Sequence, residues 1–256
     1  MLPADIPSPD FYIASIGRTG STMIANWLTA PPERIVLIEP FLFALRNPDM
    51  LRVQFDELDM PIGDEEWEHP DENWQDRFRR LFLPRLAGKR WALKEVIFRE
   101  HERIIDTFAP PRVLVTVREI RDVVTSFIEK HRIQEQEDRF DHGWVEEYCL
   151  RETRQIVEMC KGLPRRGIEW RAVRYEDFIA SEAERDAVAE FVGWPGGGEV
   201  ARHYARLRRG FEVERHGTAI NARARRAEER SLTAGDLALV ERIAARCGPY
   251  QDFFGY

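Results

Sequence analysis

Apolar residues along this chain fall into five short, nearly continuous runs, separated by longer stretches with helical spacing. The runs Phe11–Ile16, Arg34–Ile38, Arg90–Val96, Val113–Val117 and Glu169–Arg174 are rich in β-branched or aromatic residues, the pattern of strands buried on both faces of a parallel sheet. Between them, Ser21–Thr29 puts Met23, Ile24, Trp27 and Leu28 on one helical face before Pro31-Pro32 stops it. Glu100–Phe108, Arg121–His131 and Asp141–Lys161 read as further helices, and Ser181–Val192 and Thr233–Cys247 follow the last strand. Ser181 is the expected cap of its helix, with Glu184 at the capping-box position. The alternation predicts an α/β fold: a P-loop-like parallel sheet of about five strands flanked by helices on both faces.

Two regions break the alternation. Residues 43–85 are acidic in their middle (Asp64-Glu65-Glu66, Glu68, Asp71-Glu72) and carry Trp67 and Trp74, which reads as a helical or irregular insertion near the mouth of the sheet. The two tryptophans either anchor a small core of that insertion or stack on an acceptor ring. Residues 202–230 are arginine-rich with little apolar periodicity, the mark of a long loop. A single domain over 1–256 with these two elaborations is the simplest organisation.

Composition narrows the class. No apolar stretch reaches the ~20 residues of a membrane span, and the N-terminal Met1-Leu2-Pro3-Ala4-Asp5 has no signal core, so cytoplasmic residence is the expectation. The net charge of −7 argues against a general nucleic-acid binder. Cys149, Cys160 and Cys247 lack metal-ligand spacing and read as reduced structural residues. Among 38 basic residues only Lys89, Lys94, Lys130 and Lys161 are lysines, a skew that suits a GC-rich coding sequence as well as anion chemistry.

The first strand runs into Gly17-Arg18-Thr19-Gly20-Ser21-Thr22 and then a helix. Such a turn aims backbone N–H groups and the positive end of the helix dipole at one point, so it holds an anion. Gly20 lets the backbone come close, and the Ser21 and Thr22 hydroxyls add donors. A Walker A loop would need lysine after its last glycine, but Ser21 follows Gly20 directly, and the loop's one cation is Arg18. The fourth strand leads into Arg118, at the end where open α/β sheets bind ligands, and Ser126 lies eight residues further on. Either the two form a second anion pocket, or Arg118 pairs with Asp122 and Ser126 is a small packing residue.

The loop, the Arg118/Ser126 spacing, and the Arg174-Tyr175-Glu176-Asp177 turn after the fifth strand together resemble the PAPS-dependent sulfotransferases, as do Leu232-Thr233 and the closing Phe254-Gly255-Tyr256. The resemblance covers about Phe11–Phe41, Trp91–Ser126 and Trp170 to the end. Gly17 and Thr19 stand where that family usually has proline and serine. No Arg-Lys-Gly run follows near the C-terminus, which points toward the bacterial, carbohydrate and tyrosylprotein branches.

The resemblance implies a co-substrate, 3′-phosphoadenosine-5′-phosphosulfate (PAPS), and no metal. Gly17, Arg18, Thr19, Gly20, Ser21 and Thr22 would hold its 5′-phosphosulfate, Arg118 and Ser126 its 3′-phosphate, and Tyr175 its adenine, with Arg223, Arg225 or Arg226 replacing the missing C-terminal run. Glu39, at the end of the second strand, takes the place of the tyrosylprotein-type base; a capping or salt-bridge role before Pro40 is the alternative. Lys94 interrupts an apolar strand, and a buried ammonium needs an anion or a partner. The family's lysine there neutralises the sulfonate or bridging oxygen; a surface pair with Glu95 is the alternative. Tyr175 equally suits a packing role under its strand. His101, His142, His203 and His216 read as surface or loop residues rather than bases. The acceptor class extends to small molecules and carbohydrates, with no nucleic acid; oligomeric state is not legible. A P-loop kinase-like, ATP-dependent phosphotransferase is the main alternative, but the loop lysine and a strand-end aspartate for magnesium are missing. A non-catalytic anion-binding module and an inactive sulfotransferase relative are further alternatives.

Overall fold

The computed structural model describes residues 5–43, 48–67, 72–196, 220 and 232–256. In chain order the elements are β1 (Tyr12–Ser15), α1 (Ser21–Leu28), β2 (Arg34–Ile38), α2 (Pro48–Glu57), α3 (Trp74–Arg77), α4 (Leu83–Leu86), β3 (Arg90–Glu95), α5 (Phe98–Phe108) and β4 (Arg112–Val117). They continue with α6 (Ile120–Ile133), α7 (His142–Gly162), β5 (Glu169–Arg174), α8 (Tyr175–Ala180), α9 (Glu182–Val192), α10 (Ala234–Arg246) and α11 (Gly248–Phe254).

All strands pair in parallel, in the order β2-β3-β1-β4-β5. Each begins and ends within one residue of the expected bounds; β1 to β4 are buried on both faces, while β5 is mostly half-exposed. Side chains alternate across the sheet and divide the core in two. Tyr12, Ala14, Ile35, Leu37, Leu93 and Val115 face a large layer built by α2, α5, α6, α7, α10 and α11. Phe11, Ile13, Val36, Ala92 and Leu114 face a smaller layer of α1, α8 and α9. From β1 the chain crosses to β2 on one side, and from β4 to β5 on the other. The carboxyl ends of β1 and β4 therefore flank a topological switch point, where open α/β sheets have their ligand crevice.

Several details depart from the sequence expectations. Among its described residues the 43–85 region builds no core of its own. Phe55, Phe78 and Phe82 join the main layer, where Phe78 meets Trp91 and Phe108 at ring-centroid distances of 5.6 and 6.0 Å. Half-buried Trp74 lies edge-on to Phe43 at 5.0 Å and near Phe108 at 6.0 Å, while Trp67 sits under Arg52. Three of the region's acids pair with its own arginines, Asp64 with Arg52, Glu66 with Arg85 and Glu72 with Arg80. Between α3 and α4 the helix opens into a π turn, with Leu83 N–H reaching Phe78 O.

Helices α8 and α11 lack a sequence signal. α8 is six residues long and buries only Phe178 and Ile179; α11 starts at Gly248-Pro249 and buries Tyr250 and Phe254, one turn apart. Ser181 caps α9 by accepting from Glu184 N–H, but the Glu184 carboxylate turns to Arg171 instead of closing the box. A closed capping box forms at Thr233–Asp236, and Arg132 and His142 converge on the same buried Asp236. There burial opposes the charge, but the Thr233 hydrogen bonds and Arg132 bring the carboxyl down to about 2. The three cysteines are free and buried, and burial pushes the Cys160 thiol up to about 12. Among the described residues no helix is long and apolar enough to cross a membrane. The arginine-rich loop, apart from Ile220, lies outside the described residues.

Candidate active site

The turn after β1 is shaped by two left-handed residues, Arg18 at φ 73° and Gly20 at φ 80°. Gly20 is the N-cap of α1 and offers no side-chain cap; the Met23 N–H bonds Gly20 O at 3.0 Å, so the Ser21 and Thr22 amides are the ones an anion would take. Only glycine fits: a Cβ on Gly20 would lie 2.3 Å from Tyr175 Cδ2, and one on Gly17 2.7 Å from Phe127 Cζ. Arg18, a costly residue in that conformation, is fixed by its Nε donating to Ser126 Oγ at 2.9 Å. Gly17 N–H donates to Tyr148 Oη at 2.9 Å, and that hydroxyl donates on to Val96 O at 3.1 Å. Tyr148 thus ties the loop to the end of β3.

Not every loop hydroxyl points at the crevice. Thr19 Oγ1 donates to Ile16 O at 3.0 Å and accepts from the Thr116 hydroxyl at 2.8 Å, buried between strand ends. Thr19 therefore offers its backbone, not its side chain. Ser21 is buried at the helix start and Thr22 is half-buried beside it.

Lys94 and Glu39 come together at the ends of β3 and β2. The Lys94 ammonium is buried, so it needs anionic or polar partners. It has two: the Glu39 carboxylate and, at 3.3 Å, Thr22 Oγ1 of the loop. Lys94 is thus not a surface partner of Glu95. Glu39 itself is in the left-handed region (φ 49°), as is Phe41 (φ 44°), a strained turn that needs external anchors. Gln54 supplies one, accepting from Ile38 N–H at 2.8 Å and donating to Ile38 O at 3.0 Å. Glu39 N–H donates to Lys94 O at 2.7 Å, and Phe41 N–H to Glu95 Oε1 at 2.9 Å.

At the end of β4, Arg118 is held by α11: Tyr250 Oη accepts from Arg118 N–H and donates to Arg118 O, both at 3.1 Å. The guanidinium stacks over Tyr175 at 4.5 Å, reaches Arg18 O at 3.4 Å and lies 3.6 Å from Asp122. Arg118 and Ser126 do not bond each other. Arg18 lies between them, giving its carbonyl to one and its Nε to the other. Tyr175 lies against both the loop glycine Gly20 and the Arg118 guanidinium.

A single line of contacts therefore runs from Glu39 through Lys94 and Thr22 to the loop, then through Tyr175 to Arg118. It places Lys94, Arg18 and Arg118 and the loop's backbone donors along the carboxyl ends of the strands, with Glu39 at one end and Asp122 at the other. Arg223, with Arg225, Arg226, His203 and His216, lies outside the described residues. His142 is on the surface of α7, bonded to Asp236. His101, expected at the surface, is buried: its Nε2 bonds Ser15 O at 2.9 Å and its Nδ1 meets Tyr12 Oη. Burial lowers its pKa to about 4.

Three supporting residues have no signal in the sequence: Tyr148, Gln54 and Glu95. Each acts on a segment far along the chain or across an insertion, so local spacing carries no trace of it.

No protein-family model matches the chain, and no curated protein matches it. Solved structures do. The chain is similar to a sulfotransferase domain from the curacin biosynthetic pathway (TM-score 0.59, 16% identity, covering 95% of this chain and 98% of the other). It is also similar to a sulfotransferase from Alicyclobacillus acidocaldarius (TM-score 0.55, 14% identity, 97% and 95% covered). A third, a sulfotransferase from Mycobacterium avium, matches at TM-score 0.55 and 14% identity over 98% of this chain and 78% of the other. The chain has the sulfotransferase fold, over nearly its whole length.

Proposed function

We propose that this protein is a PAPS-dependent sulfotransferase, moving a sulfuryl group to a hydroxyl or amine of a small-molecule or carbohydrate acceptor without a metal. The observation that carries the reading is Lys94: one buried ammonium contacts both a strand-end carboxylate and a hydroxyl of the anion loop. A phosphosulfate on the loop would put its transferable group beside that ammonium, and an acceptor hydroxyl beside Glu39.

The loop fits the donor's 5′ end, with uncapped helix amides, a glycine without room for a Cβ, and the Arg18 backbone in a left-handed turn. Arg118, stacked on Tyr175 and 3.6 Å from Asp122, fits a second phosphate. In the reaction, the acceptor oxygen forms a bond to sulfur as the bond from sulfur to the phosphate oxygen breaks. The electron pair stays on the departing phosphate, and Glu39 takes the acceptor proton. Lys94, Arg18 and the loop amides stabilise the negative charge on the sulfonate and leaving oxygens.

A kinase-like reading places its main cation on the loop itself, after the last glycine. In this chain that cation comes from β3. Thermal unfolding with 3′-phosphoadenosine-5′-phosphate, with ATP plus magnesium, and with a short oligonucleotide separates the readings. A large stabilisation by the first ligand, independent of magnesium, is expected. Stabilisation only by ATP plus magnesium would establish the kinase-like alternative.

A further inference from the structure

Glu95 is the one acidic side chain of the sheet interior next to the site, and nothing in the proposed transfer uses it. It is fully buried on β3, directly after Lys94 and paired in register with Ala14 of β1. One oxygen is committed: Oε1 accepts the Phe41 amide at 2.9 Å. The other, Oε2, is buried with no hydrogen-bond partner among the described residues. The cation within reach, Lys94, is engaged by Glu39 and Thr22.

We infer that Glu95 is a positioning residue for the Glu39–Lys94 pair: its buried carboxyl holds the Phe41 amide, and with it the left-handed turn that presents Glu39. The inference rests on the proposed sulfotransferase function only for the consequence of that placement, not for the placement itself. Pro40 has no N–H, so between Glu39 and the chain beyond it the Phe41 amide is the first backbone donor available to anchor the turn. Gln54 and the Lys94 carbonyl fix the turn from the β2 side, and Glu95 fixes it from the far side.

Glu95 accepts from Phe41 in either protonation state, but only an uncharged carboxyl leaves Lys94 to Glu39. The charged and titratable groups facing it are Glu39 from the turn, Lys94 on its own strand, Glu100 from α5 and Tyr12 from β1, whose hydroxyl meets His101. Burial raises the Glu95 pKa well above the ordinary carboxyl range and the Glu39 charge adds to it, outweighing the Phe41 hydrogen bond and Lys94. As a neutral acid, Glu95 still accepts from Phe41 but does not compete with Glu39 for the ammonium. Ionised, it would draw Lys94 away from Glu39 and add negative charge where a sulfonate must sit.

The test uses the full chain and three variants, Glu95→Gln, Glu95→Ala and Glu39→Gln. Infrared spectra at pH 7 are expected to show the carbonyl stretch of a buried protonated carboxyl in the wild type and in Glu39→Gln, and to lose it in Glu95→Gln. Hydrogen exchange at the Phe41 amide is expected to accelerate at least tenfold in Glu95→Ala and to return to within threefold of wild type in Glu95→Gln. Release of 3′-phosphoadenosine-5′-phosphate from PAPS, with 2-naphthol as the probe acceptor, is expected to follow the same order, with kcat lost in Glu95→Ala and rescued in Glu95→Gln. A protonated-carboxyl band that survives Glu95→Gln, or Phe41 exchange unchanged in Glu95→Ala, would overturn the assignment. If the band and the exchange behave as expected but the wild type neither binds nor turns over the nucleotide, the functional reading fails and the assignment of Glu95 stands.

Discussion

The two ends of the crevice hold their charges in different ways. At the β2–β3 end, Lys94 is buried against Glu39, so the cation and the carboxylate largely neutralise each other before any ligand arrives. At the β4 end, Arg118 lies over a tyrosine ring, 3.6 Å from the Asp122 carboxylate, and its guanidinium reaches toward the loop at Arg18 O. A reacting end must keep a base close to the group being moved. An anchoring end must have positive charge to give to an incoming phosphate. Under the proposed function, chemistry falls to Glu39 and affinity to Arg118, and substitutions at the two ends should separate accordingly.

The largest effect is expected at the reacting end. Glu39→Gln should lower transfer by roughly 10²–10⁴-fold, the usual worth of a general base, while titration with 3′-phosphoadenosine-5′-phosphate gives nearly the wild-type affinity. Normal transfer by that variant would remove Glu39 from the base role. Arg118→Ala should do the reverse, weakening nucleotide binding by about 1.5–3 kcal/mol, roughly ten- to hundredfold in Kd. Calorimetry that found Arg118→Ala binding unimpaired would erase the distinction between the ends.

A pH series probes the buried histidines beneath each end. His101 underlies the β1–β3 side, and His131, stacked on Phe140, lies near the end of α6, the helix that also carries Ser126. Burial lowers each pKa to about 4, with Lys130 and Arg18 adding to the effect at His131. The unfolded chain takes up protons below about pH 6.5 that the folded chain refuses, so stability is full above that pH and falls between it and pH 4. By pH 5 His101 should account for about 2 kcal/mol of lost stability. His131, which lines a surface pocket, should account for less. Thermal midpoints at pH 7 and pH 5 should therefore differ, and His131→Phe should narrow the gap. A gap of unchanged size in that variant would contradict burial of His131 as a cause. Gly20→Ala should cost about 1–2 kcal/mol from a left-handed residue with a Cβ and about 1–3 kcal/mol more from the Cβ pressing on Tyr175, with the displaced Tyr175 loosening Arg118. A loss of nucleotide affinity larger at the 3′ than at the 5′ phosphate would sharpen the coupling between the ends.

The sheet and the loop are legible in the sequence because both are local. A doubly buried strand announces itself as an apolar run, and the order Gly17 to Thr22 between strand and helix needs no distant partner to be read. Lys94 stands out by contrast with its apolar neighbours, although its partner does not, since Glu39 lies 55 residues away in sequence. Spacing suggests that Arg118 and Ser126 face each other. It has no means of showing that the Arg18 backbone and Nε come between them. The 43–85 region reads as a satellite in sequence because aromatic packing against Trp91 and Phe108 depends on the tertiary fold. His101 reads as a surface residue for the same reason, as the groups that satisfy it belong to β1.

One nucleotide with phosphates at both its 3′ and 5′ positions must bridge the loop and Arg118 if the two ends serve one donor. Calorimetric titration of 3′-phosphoadenosine-5′-phosphate and of adenosine 5′-phosphate, both without magnesium, into the wild type and Arg118→Ala tests this directly. The expected result is that the 3′-phosphate improves wild-type affinity by at least tenfold and that the advantage disappears in Arg118→Ala. Equal affinity of the wild type for the two nucleotides would contradict it.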